Sequence, residues 1–176
     1  MHFTRSGFFR RLRHGKADPR EAVRPLWHRV VAISREPEWY AACGVADTVA
    51  GRFDMITAVM ALVVLRMEDV PDLRGPSAHL IELFVEDMDG QLREFGINDV
   101  VVGKHMGRLM STLGGRMGAY REALRGSDAT AFRQAVARNV TFADEGLSAM
   151  LGDRLRALAT RLADTSDADV LAGRIG

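Results

Sequence analysis

The sequence is poor in the residues that carry most catalytic and metal chemistry. One cysteine, Cys43, stands among 176 residues. A single thiol excludes an intrachain disulfide and any zinc site built from two or more cysteines, and it suits a reducing compartment. No two of the five histidines lie three or four residues apart, so no helix presents an imidazole pair to a metal or haem. Tyrosine and tryptophan occur twice each, too few for the stacking platforms of single-strand nucleic-acid binders. The longest apolar run, Met55 to Leu65, covers eleven residues and is broken by Thr57, whereas crossing a bilayer takes about 20. Alternating apolar and polar residues, the mark of a half-buried strand, are nowhere sustained.

What remains is the composition of a soluble globular domain, 47% hydrophobic and 27% charged, which excludes a wholly disordered chain. The net charge of +1 is unevenly laid out. Residues 1–35 hold nine basic side chains against Asp18 and Glu21 and carry +7, leaving −6 for the remaining 141 residues. Residues 1–17 form a basic leader with Phe3, Phe8, Phe9 and Leu12 among Arg5, Arg10, Arg11, Arg13 and Lys16. Two readings fit it: a solvated basic tail, or a short helix lying on anionic lipid through Phe8, Phe9, Arg10, Arg11 and Arg13. An arginine-rich, acid-free mitochondrial targeting segment is a third, against which its single serine counts. It lacks the apolar core and small-residue cleavage site of a secretory signal.

Helical spacing recurs through residues 18–165, and residues 166–176 read as a C-terminal tail. Asp18-Pro19 opens the first helix, whose regular part is delayed by Pro25 and ends at Pro37. A short element holds Trp39 and Tyr40. Asp47 or Thr48 caps a second helix reaching Met67. Pro71, Gly75 and Pro76 make a linker, and Ser77 opens a third helix ending near Gly96. The fourth runs from Asn98 or Asp99 to Leu124, where Gly126 stops it. Ser127-Asp128 caps a fifth, a sixth covers Glu145 to Ala163, and Ser166 opens a last turn before a frayed end. The expected fold is all-α, a single compact bundle of about six to seven helices.

The helices differ in character. From Arg52 to Arg66 apolar residues occupy nearly every face, which predicts a central helix buried on most sides. In the third helix Ile81, Phe84, Met88, Leu92 and Phe95 form an apolar stripe, with Asp87 on its flank and Glu82, Glu86, Asp89 and Arg93 opposite. A carboxylate on that flank needs a partner, and Arg52 or Lys104 is placed to supply one. In the fourth helix Val102, Met106, Leu109, Met110, Leu113, Met117 and Tyr120 face the core, while Lys104, His105, Arg108 and Arg116 share a basic side. That side is either a plain solvated face or a docking surface. Gly103, Gly107, Gly114 and Gly118 fall within about 60° of one another. At about 1 kcal/mol each against alanine, they call for close packing on another backbone, or for a break at Gly114-Gly115.

No catalytic constellation stands out. Glu86-Asp87-x-Asp89 lies on consecutive helical positions that do not converge on one ion, and it lacks the glycine and glutamate of a calcium loop. The glycines of the fourth helix lack both the P-loop order and a preceding strand.

Three stretches form a set. The first is Trp39-Tyr40, Gly44-Val45-Ala46-Asp47-Thr48 and Gly51-Arg52-Phe53-Asp54-Met55. The second is Phe84-x-x-Asp87-Met88-Asp89-x-x-Leu92-Arg93-Glu94-x-Gly96, with Asp99 and Val102-Gly103-Lys104. The third is Gly115-Arg116-x-x-Ala119-Tyr120. Their order and spacing resemble the ubiquinol–cytochrome c chaperone family, which assists assembly of respiratory complex III, over about residues 24–145. With 22 arginines and 2 lysines, the chain is similar to the alphaproteobacterial kind. The resemblance implies a non-enzymatic helical chaperone without metal, haem or other cofactor. It implies a cytochrome b client near the membrane; in mitochondria such proteins also associate with the ribosome and a small partner protein, of which ribosome contact is an expectation here and the small partner is not carried over. It also implies a cytoplasmic place at the inner membrane face, or the matrix in a eukaryote. Arg52, Phe53, Asp54, Asp87, Asp89, Arg93, Gly103 and Tyr120 become motif residues of structural role, and Lys104, His105, Arg108 and Arg116 candidates for partner contact. Departures are Ala46 where the pattern has proline, Ala58-Val59 where it has Leu-His, and Leu113-Gly114 where it has a nearby aromatic. They bear on client contacts more than on fold. The competing functional readings are a helical enzyme acting on an isoprenoid or quinone-like substrate, and a peripheral membrane adaptor anchored by the leader.

The leader supplies the first test. If it is a lipid anchor, anionic vesicles sediment the full chain at low salt and not a chain lacking residues 1–16; equal sedimentation of the two identifies a tail.

Overall fold

Helix starts and stops in this chain follow local chemistry closely. The computed structural model describes residues 18–94, 99–126 and 128–175, the side chains of residues 92–94 and 99–106 excepted. Asp18 caps a 3-10 turn, Pro19–Val23, by accepting the Arg20 amide at 3.0 Å. Regular helix begins with Pro25 in the first turn of α1 (Arg24–Ser34), where proline loses no hydrogen bond. A single turn, α2 (Pro37–Ala41), buries Trp39, and Gly44 turns the chain at φ 72°. Thr48 caps α3 (Val49–Glu68) by accepting the Gly51 amide. The expected linker at Pro71–Pro76 is instead a 3-10 turn, Pro71–Leu73, running directly into α4 (Arg74–Glu94). Gly75 and Pro76 fall in the first turn of α4, whose amides have no acceptor within the helix in any case.

Beyond it run α5 (Asp99–Arg125), α6 (Ala129–Ala137, capped by Asp128), α7 (Ser148–Asp164) and the one-turn α8 (Asp167–Leu171, capped by Ser166). The described residues form the compact all-helical bundle that the spacing predicts. Extended pairing is confined among them to one antiparallel bridge between Val45 and Phe142.

The core is organised around α3. Every residue from Met55 to Val64 is buried, and α1, α4, α5 and α7 all pack on this helix. Trp27 of α1 meets Phe84 of α4 edge-on at 5.9 Å, and Tyr120 of α5 meets Phe132 of α6 at 5.3 Å. Arg66 closes the C-terminus of α7, donating to the Leu162 and Thr165 carbonyls at 2.8 Å each and to Asp167 at 2.7 Å. The C-terminal segment is not a frayed tail. Val170 and Ile175 are buried in the core, and Arg29 donates to the Ile175 carbonyl at 2.8 Å.

Both expectations for the glycines of α5 are corrected. The helix runs unbroken through Gly114-Gly115, and a Cβ at Gly107, Gly114, Gly115 or Gly118 would meet nothing within 4 Å. Close approach occurs elsewhere. A Cβ at Gly152 of α7 would stand 2.8 Å from the Arg133 Cα of α6, and one at Gly51 would overlap the Ala46 carbonyl. Met110, expected in the core, is 40% exposed.

These contacts predict opposite signs for one chemical change. Gly114→Ala and Gly118→Ala each stabilise by about 0.5–1 kcal/mol, the ordinary helix-interior difference, while Gly51→Ala and Gly152→Ala destabilise. Urea denaturation of the four variants checks this; destabilisation by the α5 substitutions would show that the glycine face is packed.

Candidate functional site

The first two turns of α3 carry two structures on different faces. On one face Asp54, 9% exposed, is held from both sides. Arg116 of α5, 5% exposed, forms an ion pair with Asp54 Oδ1, and its Nη1 donates to the Asp54 carbonyl at 2.8 Å. The other carboxylate oxygen accepts the Thr141 amide at 2.8 Å and the Thr141 hydroxyl at 2.7 Å. Thr141 in turn gives its carbonyl to the Ala46 amide at 2.9 Å, and Gly44 accepts the Ala143 amide at 2.8 Å. One carboxylate thus ties α3, α5, the loop after α6 and the turn before α3. Tyr120 lies fully buried one turn along α5 from Arg116, and burial pushes its phenol up to about 12.

This arrangement corrects two expectations. Arg116 does not lie on a solvated basic side. It stands seven residues after Leu109, three after Leu113 and four before Tyr120, all core positions, so its helical angle places it inward. That spacing was available in the sequence; Thr141, in an irregular loop, had no such signal. Arg52, for its part, does not reach Asp87. Its Nε donates to Asp47 at 2.7 Å and its guanidinium lies 5.8 Å from the Tyr40 ring centre. Asp87 is half-buried and accepts from Gln91 at 3.2 Å. The Asp87–Lys104 alternative, together with Arg93, Gly103, Lys104 and His105, falls outside the described side chains. Phe8, Phe9, Arg10, Arg11 and Arg13 of the leader lie outside the described residues. Asp89 is half-buried.

On the other face α3 forms one wall of a groove of about 680 Å³. Its floor is Phe53, Ile56, Met88 and Leu109, the last three 5–7% exposed. Val49, 72% exposed, and Ala50 form a lip, and Ser34, Gln91 and Thr112 add polar groups. Arg35 from the end of α1, Arg52 and Arg108 stand around it, and among the described residues its lining contains no carboxylate. The groove unites parts of the first two sequence blocks with Arg108 of the basic side, and with Arg35, which sequence reasoning passed over. It is apolar inside and cationic around the opening, and among the described residues no acid–base pair lines it. Cys43 is buried elsewhere, and burial raises its thiol.

Removing one member of a buried ion pair costs about 3–5 kcal/mol, because the other charge is stranded, whereas an exposed pair contributes about 0–1 kcal/mol. Asp54→Ala and Arg116→Ala therefore destabilise severely, and Arg52→Ala and Asp87→Ala little. Thermal unfolding of the four proteins checks the order; equal melting temperatures for Asp54→Ala and Asp87→Ala would contradict it.

Comparison with known proteins identifies the family. The family model described as ubiquinol-cytochrome C chaperone matches residues 41–175. That match takes in the Asp54–Arg116–Thr141 cluster and continues past residue 145 to the packed C-terminal segment. Among solved structures, the chain is similar to the crystal structure of the Cbp3 homolog from Brucella abortus. The two share 32% identity over 89% of this chain and 88% of that one, with a TM-score of 0.78. The search of curated proteins returned no match. A family match over most of the chain and a shared fold at this identity make the chain a member of the ubiquinol–cytochrome c chaperone family.

Proposed function

We propose that this chaperone of complex III assembly holds newly made cytochrome b in the groove between α1, α3, α4 and α5, in the cytoplasm at the inner face of the membrane. The observation that carries the reading is the groove itself. An apolar floor that stays accessible on a folded protein marks an interaction site. Met88 on the floor adapts to varied apolar partners, which suits a client held before it has its final shape. Such holding needs apolar area and reversible contact rather than chemistry.

The enzyme reading requires acid–base groups converging on the apolar cavity, and among the described residues none line the groove. The adaptor reading is compatible with a chaperone that works beside the membrane. Among the described residues no helix is long and apolar enough to cross a membrane, so contact with the bilayer would be peripheral. Ribosome contact would let the chaperone meet its client as it is made.

Filling the groove tests the proposal without disturbing the clasp. Ala50→Trp and Thr112→Trp place an indole at its lip and wall; Ala163→Trp, on the exposed side of α7, is the control. The two groove variants melt like the parent and lower complex III and spectral cytochrome b to the level of a strain lacking the chaperone, while the control does not. Normal complex III with a blocked groove would overturn the assignment.

A further inference from the structure

An apolar floor gives affinity but little choice, because burial of apolar area is non-directional. The choice of occupant falls to the polar groups around it, and these are of one sign. Arg20, Arg24, Arg121, Arg133 and Arg154 each pair with a carboxylate elsewhere on the surface, and at the groove Arg52 is engaged by Asp47. Arg74, Arg138 and Arg161, away from the groove, are exposed without an ion pair among the described residues, and Arg35 and Arg108 share that state at the groove itself. We propose that the groove takes an apolar polypeptide segment bearing a carboxylate, which Arg35 and Arg108 receive. This rests on the groove being the client site and adds the chemistry by which it chooses.

Three physical points support it. A guanidinium is weakly hydrated and presents a planar fork that matches a carboxylate, so it pairs well beside apolar surface. A basic segment would meet Arg35 and Arg108 with no acid among the described lining residues, which also disfavours the chain's own leader with its five Arg and Lys side chains. Finally, the lining sets Ser34, Gln91 and Thr112 among the apolar groups. Ser34 donates to the Val31 carbonyl and Gln91 to Asp87, so the Gln91 amide oxygen and the Thr112 hydroxyl are the groups that can serve the backbone of a bound peptide, a use a lipid tail does not make of them.

The experiment uses the full chain and three fluorescent twelve-residue peptides of one apolar sequence, with Glu, Gln or Lys at a single central position. At low salt the Glu peptide binds about tenfold tighter than the Gln peptide, the scale of one charge-assisted hydrogen bond, and the Lys peptide binds weakest. Arg35→Gln with Arg108→Gln removes the preference, and Arg35→Glu with Arg108→Glu inverts it, with melting temperatures unchanged. Equal binding of the three peptides, all lost in Ala50→Trp, would overturn the charge selection and leave the groove as the client site. Binding of none, or binding unaffected by Ala50→Trp, would overturn both. If phosphatidylglycerol vesicles displace the Glu peptide from the parent and bind it only through an unblocked groove, the occupant is lipid and the proposal fails.

Discussion

The fold turns on one buried carboxylate. Asp54 accepts from Arg116 on one side and from Thr141 on the other, and through Thr141 it fixes the turn at Gly44–Ala46. A buried ion pair repays the loss of hydration only when its remaining hydrogen-bonding capacity is used, and both oxygens of Asp54 are used. The arrangement explains why residues far apart in the chain form one pattern. Gly44, Gly51 and Asp54 of the first block and Arg116 of the third meet at a single point. Gly44 adopts a backbone conformation that side chains rarely take, and Gly51 leaves room for the Ala46 carbonyl.

The clasp also positions the groove. Phe53 and Ile56, on the groove side of α3, belong to the same two turns as Asp54. Holding Asp54 against α5 sets the distance between α3 and α5, and hence the width of the floor between Phe53 and Leu109. Stability and function are therefore divided by face. The Asp54–Arg116 pair that holds the fold is buried, with both Asp54 oxygens hydrogen-bonded, while at the groove Arg52 is paired with Asp47 and Arg35 and Arg108 are exposed without a carboxylate partner among the described residues. On the proposed reading, a substitution on the first face destabilises the protein and one on the second alters what it binds.

Much of this was legible in the sequence. The caps at Asp18, Thr48, Asp128 and Ser166, the central place of Met55–Leu65 and the membership of the family all followed from residues and spacing. What was misread has physical causes. Arg116 has the charge of a surface residue, but its helical angle puts it with Leu109, Leu113 and Tyr120. Pro71–Pro76 reads as a linker because proline and glycine usually punctuate, yet a first turn tolerates both. The α5 glycines were expected to pack closely or to break the helix, and neither follows from composition when a long helix leaves that face open. Arg35 and Thr141 have no periodic signal, and only the tertiary structure brings them to the site.

Site-specific photo-crosslinking in cells tests the account most directly. A photoreactive residue replacing Thr112, on the groove wall, is compared with the same residue replacing Ala163 on the far side of the bundle. A client seated between α3 and α5 yields a cytochrome b adduct from position 112 and none from 163. An adduct from 163 alone, or equal adducts from both, would contradict a client held in the groove.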